Sequence, residues 1–469
     1  MGIRLDWEIE NEPVITGAGE PPDAIRVRQR QRRRVVVMVV LVMALVGGVI
    51  GGILARLRYV DAELARQLRD TVAVEVAALR IGDIAAYLNI QRSESDAWML
   101  GQTDLYWQYQ ALKQQYDVDL SGEVLDLVID GNRGRVLVQE QINGQPFQRL
   151  WFYWRFEDGW RHVPRDVTFW GEARTQEGPG FVVAYQAVDE SLAAALTPAI
   201  ARLWGGACNW LACDQPLPPL TVRIEPDPAV MVSWSPDETG VLRVASPLVD
   251  RMPADTPLPP ELARDIADLL AERVLEHVRP GYSPVTATDA VFIHQAVVDW
   301  LIGHFLGDPG VLGSSFVQSL VQAYGTRAAA MLARDVPPDA SVAVLARLFA
   351  MPLNELRADW REFFQWRLAL EPFLLATDHP AALLALYDEL AQPEAVRLVN
   401  TPGAENLPVL QVERVVVGPG ADGAARAWVV VRYPDGSSGP ITFRLVDGDW
   451  RRSIPDPAFE AVDAASAAN

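Results

Sequence analysis

The sequence predicts an α+β protein of several folded units carried on one N-terminal membrane-spanning helix. Three observations lead there: an uncharged run of 21 apolar or small residues from Val35 to Ala55, β-rich runs with Asp-Gly and Asn-Gly turns at both ends of the rest, and helical apolar spacing between them. At about 1.5 Å rise per residue the apolar run makes a helix about 32 Å long, enough to cross a hydrocarbon core of about 30 Å. Arg26, Arg28, Arg30, Arg32, Arg33 and Arg34 precede it, and only Arg56 and Arg58 follow closely. The positive-inside bias therefore places the N-terminus in the cytoplasm and the long remainder outside. A cleaved signal peptide fits less well, since its apolar region is about 7 to 15 residues and a small-x-small site should follow. Here the run leads into Leu-Ala-Arg-Leu-Arg. Gly47 with Gly51 and Gly48 with Gly52 form overlapping GxxxG pairs, a spacing that permits a homodimer through the span, against the plain reading that glycine is common in membrane helices. The bilayer itself is the first expected partner, with the arginines near anionic headgroups.

Composition narrows the function classes. Residues 1–58 hold nine arginines against six acids, net +3, so the remainder carries −23 of the total −20. An acidic outer part repels polyanions, which argues against nucleic acid as a partner. One lysine, Lys113, stands against 40 arginines, a bias read as the base composition of a GC-rich bacterial genome. The expected location is thus a bacterial cell membrane, single-pass, with the bulk of the chain extracytoplasmic. Such a compartment is oxidising and permits a disulfide within Cys208-Asn-Trp-Leu-Ala-Cys213, whereas two thiols alone cannot complete a structural zinc site.

Along the chain, residues 1–34, with Glu8, Glu10, Glu12 and Pro21-Pro22, lack apolar periodicity and read as a disordered basic cytoplasmic tail. After the span at 35–55, Leu64, Leu68, Val72, Val76, Leu79 and Ile84 recur at helical spacing to about Asn89, and a second helix covers 95–115. GEVLDLVID, GRVLVQEQI and QRLWFYWRF follow as strands, with turns at Asp130-Gly131, Asn143-Gly144 and Asp158-Gly159, so 56–172 reads as helices plus an antiparallel meander. Within 173–365, FVVAYQAVDE and LTVRIEPDP are strands around an alanine-rich helix from Ser191 to about Leu203. Long helices come next: PPELARDIADLLAERVLEHV, stopping before Pro280-Gly281, and TDAVFIHQAVVDWLIGHFL, stopping at Gly307-Asp308-Pro309-Gly310, then stretches near 315–334, 340–350 and 353–375. The segment 366–462 starts helically to about 397 and ends in LQVERVVVG, AARAWVVVRYP and PITFRLVDGDW, before a short disordered tail at 463–469. This end repeats the first meander: the first two turn glycines are 13 residues apart in both (131 to 144, 423 to 436), and WRFEDGWRHVPRD matches FRLVDGDWRRSIPD.

These meanders with leading helices resemble the NTF2-like superfamily, a cone of helices packed on a curved sheet. Residues 178 to 370, with LNELRADWREFFQWRL near their end, resemble the extracytoplasmic peptidase MA-like domains of gluzincin metallopeptidases. That resemblance implies HExxH on one helix, where i and i+4 put two imidazoles on one face and the glutamate activates a metal-bound water, with a third ligand from a glutamate on the next helix. Here the matching helix reads Leu269-Leu-Ala-Glu-Arg-Val-Leu-Glu-His-Val278. With Glu272 aligned to the catalytic glutamate, the histidine positions hold Ala271 and Leu275. The WLxEG-like motif becomes Trp300-Leu301-Ile302-Gly303-His304, with Gly303 at the ligand position. The resemblance therefore implies a catalytically inactive, metal-free and cofactor-free domain that recognises a peptide or cell-envelope partner.

Glu276, His277, His294, Trp300 and His304 remain as cleft candidates. No two of the five histidines lie four apart, and His294 and His304 are nearly three turns apart along one helix. A zinc peptidase with displaced ligands and small-ligand binding in an NTF2-like cone are the alternative functions. GxSxG, P-loop and strand-following GxGxxG signatures are absent. Trp151, Tyr153 and Arg155 share one strand face, Phe152, Trp154 and Phe156 the other; one face is core, and the second reads as another packing layer rather than a stacking surface for sugar or lipid. Glu261, Asp265 and Asp268 have the spacing of a solvated helix face.

Overall fold

One helix, α1 (Pro22–Ile81), carries the apolar run from Val35 to Ala55. The computed structural model describes residues 22–420 and 422–455, without the side chains of 22–31 and of Glu405. The described chain is mixed α+β, with three sheets and one N-terminal helix long and apolar enough to cross a membrane. Val35, Leu41, Ile50 and Leu54 are all exposed, and a Cβ on Gly47, Gly48, Gly51 or Gly52 would meet nothing within 4 Å. Residues 22–34, expected to be unstructured, are helical here, since no proline or glycine interrupts the arginine-rich stretch after Pro22 and arginine is a good helix former. Residues 1–21 and the expected tail at 463–469 lie outside the described residues.

Beyond the span α1 turns amphipathic, burying Leu68, Val72, Val76 and Leu79 at helical spacing. Asp83 caps α2 (Ile84–Ile90), its carboxylate accepting the Ala86 N–H at 2.9 Å. After α3 (Asp96–Gln115) come β1 (Val118–Asp130), β2 (Arg133–Ile142), β3 (Gln145–Phe156) and β4 (Gly159–Val163). Asn143 (φ 52) and Gly144 (φ 75) are both left-handed, as a two-residue hairpin turn requires. Next are β5 (Ala173–Gly178), β6 (Phe181–Gln186), α4 (Glu190–Leu211), β7 (Leu220–Glu225), β8 (Val232–Trp234), β9 (Val241–Ala245) and β10 (Met252–Pro253). Helices α5 (Pro260–Val278), α6 (Asp289–Leu306), α7 (Ser315–Tyr324), α8 (Arg327–Asp335), α9 (Val344–Phe349), α10 (Arg361–Ala376), α11 (Pro380–Ala385) and α12 (Gln392–Val399) lead to β11 (Gln411–Pro419), β12 (Ala425–Arg432), β13 (Ser438–Val446) and β14 (Asp449–Ser453).

The first sheet has the order β1-β2-β3-β10 with β4 also on β3, and the last is the meander β11-β12-β13-β14. Each contains a closing Asp-Gly hairpin, but the turns differ: Asp447 (φ 53) and Gly448 (φ 86) are both left-handed in the second, whereas in the first only Gly159 (φ 110) has a positive φ. The middle sheet runs β5-β6-β7-β9-β8, with β6, β7 and β9 parallel and antiparallel strands at its edges. Parallel pairing of β6 with β7 needs a crossover, which α4 provides. The helix expected at 315–334 breaks at Gly325 (φ 82) into α7 and α8, and the lead-in expected to run to 397 breaks at Asp378 (φ 56) and Pro380.

The described chain falls into two compact units. One holds the residues up to Gln110 with Leu127–Gly134 and Tyr153–Val163, the other Ala111–Asp126, Arg135–Phe152 and everything from Pro164. Inside the second unit a single apolar cluster runs from Phe181 and Val183 through α4 to α10 and on to Phe443 and Trp450. Phe364 packs on Phe443 with ring centres 4.7 Å apart, so the C-terminal meander and the helical region share one core. Each large side chain buried there contributes about 1.5–3 kcal/mol.

Candidate functional site

The residues that the sequence reading set against a gluzincin zinc site lie on α5 and α6. Ala271 and Leu275 point into the core, while Glu272 is exposed. Gly303 sits under the loop after α6: a Cβ there would lie 2.7 Å from the Cα atoms of both Gly313 and Pro309. A glutamate does not fit, because the contacts are backbone and cannot swing aside. None of the three positions offers a metal donor.

The other candidates go to separate partners. His294 Nε2 lies 3.2 Å from a Glu272 oxygen and its ring 5.6 Å from that of Tyr282. Glu276 accepts the Gly281 N–H at 3.1 Å and closes the turn after α5. His277 Nε2 donates to the Gln215 carbonyl at 3.0 Å. Trp300 is a core residue whose indole N–H donates to Gln318 Oε1 at 2.9 Å. His304 stacks on Trp210 at 3.8 Å, edge-on to Trp300 at 4.5 Å, and burial lowers its pKa to about 4, so the ring is neutral at physiological pH. Cys208 and Cys213 form the disulfide. Among the described residues, the one group of three metal-capable donors is that cysteine pair with His277.

A cavity of about 600 Å³ opens in the same unit, between α6, α10 and β11. Residues 291, 295 and 299 line it from one face of α6, with Phe292 and Ala296 beside them, and Trp366 forms part of the same wall, packed on Phe292 with ring centres 5.8 Å apart. Several of its polar groups are already engaged. Glu362 accepts the Ser315 and Phe316 N–H groups at 2.7 and 3.2 Å together with the Ser314 hydroxyl, capping α7. Asp359 grips the Arg361 guanidinium. Gln365 bridges β11, donating to Leu410 O at 2.7 Å and accepting from Val412 N at 2.8 Å. Asp299 is the most available charge: Gln295 lies at 3.4 Å and Arg264 at 3.6 Å. Burial raises its carboxyl, and Glu362 and Asp268 add like charge. Asp268 is itself raised by burial and by Glu272, with Arg264 opposing. Sequence reading missed the site; its one signal was Gln295 and Asp299 four apart beside Phe292, and Trp366 comes from a distant helix.

Among the carboxylates buried elsewhere, Glu75 and Asp189 differ most in their surroundings. In the first unit Glu75 on α1 accepts from Gln91 at 2.9 Å and Tyr153 at 2.8 Å, and His162 Nδ1 lies 2.7 Å away. Burial alone raises its pKa, but His162, Gln91 and Tyr153 together bring it below the ordinary value. In the second unit Asp189, at the start of α4, accepts from Trp170 Nε1 at 2.9 Å and from the Ser246 hydroxyl, with no cation to offset burial, and its pKa rises to about 6. These partners also settle the aromatic strand: Trp151, Phe152 and Tyr153 are all buried, Phe152 stacking on Trp170 at 5.6 Å, and only Trp154 is exposed. Both strand faces are therefore packed there.

Comparison with known protein families, curated proteins and solved structures finds no match for this chain.

Proposed function

We propose that this protein is a single-pass, N-in membrane-anchored binding protein whose outer part is a catalytically inactive peptidase MA-like domain between two NTF2-like domains, and that the cavity beside α6 receives a basic peptide segment or a cationic envelope component. The observation that carries the reading is a contrast: the positions a zinc peptidase needs hold Ala271, Leu275 and a sterically closed Gly303, while a cavity of about 600 Å³ is lined by the 291–299 part of α6. Its walls suit a cation, since Asp299 and Glu362 supply charge, the lining Arg361 is already held by Asp359, and Trp366 supplies an aromatic side chain. The apolar helix supports the anchor, and the arginine bias before it supports the orientation.

The test uses the full chain in detergent. Short lysine- or arginine-rich peptides raise its melting temperature, acidic peptides do not, and Asp299→Asn or Trp366→Ala removes the shift. Zinc-dependent cleavage of casein, or equal shifts with basic and acidic peptides, would refute the reading.

A further inference from the structure

We infer that Cys208, Cys213 and His277 form a redox-gated site for a zinc-class divalent ion, closed while the disulfide stands and opened when the pair is reduced. The ligand atoms of the three residues lie within 4.8 Å of one another, and all three residues are partly buried. Two thiolates and an imidazole are a donor set that borderline-soft ions favour, with the fourth position left to water.

The surroundings hold these donors in place. Cys208 sits in the last turn of α4 and Cys213 just beyond its left-handed cap, Ala212, with the Cys213 N–H donating to the Cys208 carbonyl at 3.2 Å. Arg334 clamps the same loop from α8, donating to Ala212 O at 2.6 Å and pairing with Asp214 at 2.7 Å. The Gln215 carbonyl lies 3.0 Å from His277 Nε2 and 3.6 Å from Cys208 Sγ, so it fixes the ring's orientation as outer-shell carbonyls do for metal-bound histidines. The loop is tied at three points that do not involve the S–S bond. The sulfurs therefore keep their neighbourhood when that bond opens.

The chemistry balances in two steps. A dithiol reductant gives two electrons and two protons to the S–S bond, leaving two protein thiols and its own disulfide. The metal ion then displaces both thiol protons to solvent as two metal–sulfur bonds form and His277 contributes a nitrogen lone pair. The site is independent of the cavity beside α6; on an oxidising side of the membrane the closed disulfide form is the resting one, and opening needs the dithiol reductant.

Titration of the full-length protein with Co²⁺, before and after anaerobic reduction with a phosphine and desalting, tests this. The reduced chain takes up one Co²⁺ with sulfur-to-metal charge-transfer absorption, Zn²⁺ displaces it, and the oxidised chain shows no such band. Cys213→Ser loses the band, and His277→Ala, which keeps both thiols, binds at least about tenfold more weakly. Three results overturn the inference: no uptake by the reduced chain, uptake by His277→Ala equal to the parent's, or loss of the near-ultraviolet circular dichroism signature on reduction.

Discussion

Two glutamate–histidine pairs, one in each unit, show how little proximity alone says about a site. Glu75 and His162 lie 2.7 Å apart with 1% and 11% of their side chains exposed, and Tyr153 and Gln91 also donate to the same carboxylate. Glu272 and His294 lie 3.2 Å apart with 47% and 19% exposed, beside the Tyr282 ring. The residue types match; the surroundings do not. In the first, desolvation makes each hydrogen bond necessary, so the pair is part of the packing that ties α1 to β3 and β4. In the second, water competes for both groups, so the contact is weak and the carboxylate stays available.

The largest expected effect is on the buried pair. Glu75→Ala leaves His162, Tyr153 and Gln91 without their shared acceptor and lowers stability by about 3–5 kcal/mol, read as a fall in the melting temperature of the first unit. An unchanged melting temperature would erase the distinction between the pairs.

Asp189 extends the comparison to a buried carboxylate with neutral donors only. Its folded pKa of about 6 lies above the ordinary 3.8. The protonated form therefore favours folding below about pH 4, and that contribution is lost as pH rises through about 6. Asp189→Asn removes the ionisation while still accepting from Trp170. Relative to the parent, the variant is stabilised at pH 7.5 by on the order of 3 kcal/mol more than at pH 4. Thermal melts at the two pH values check this, and an equal difference at both would show that Asp189 does not titrate between them.

The smallest effect is predicted for the exposed pair. Glu272→Gln changes stability by less than about 1 kcal/mol, and a loss as large as that of Glu75→Ala would mean that exposure does not separate the two.

Much of the framework was legible in the sequence, because it depends on local patterns. Val35 to Ala55 declared a helix by its unbroken apolar character, and the strands of both meanders declared themselves by Asn143-Gly144 and Asp447-Gly448, where the hairpin geometry demands left-handed residues. Helices α5 and α6 followed from proline and glycine at their ends. Strands β5, β8 and β10 were not legible: Ala-Arg-Thr-Gln-Glu-Gly has no apolar alternation, and the other two are three and two residues long. The break at Gly325 was also hidden, since a lone glycine in a helical pattern has several readings.

What the sequence determined by itself is the order of the longer strands and helices and the absence of donors at Ala271, Leu275 and Gly303, since identity and spacing along one element depend only on nearby residues. The tertiary structure alone decided that Gly303 is closed by the backbone of Gly313 and Pro309, and that Trp366 packs on Phe292 at the wall of a cavity. It alone brought His277 to a cysteine pair more than sixty residues earlier and left Glu272 in water while burying Glu75. The physical reason is that burial and long-range contact set the energy of a polar group, and both come from packing between elements rather than from the order of residues along the chain.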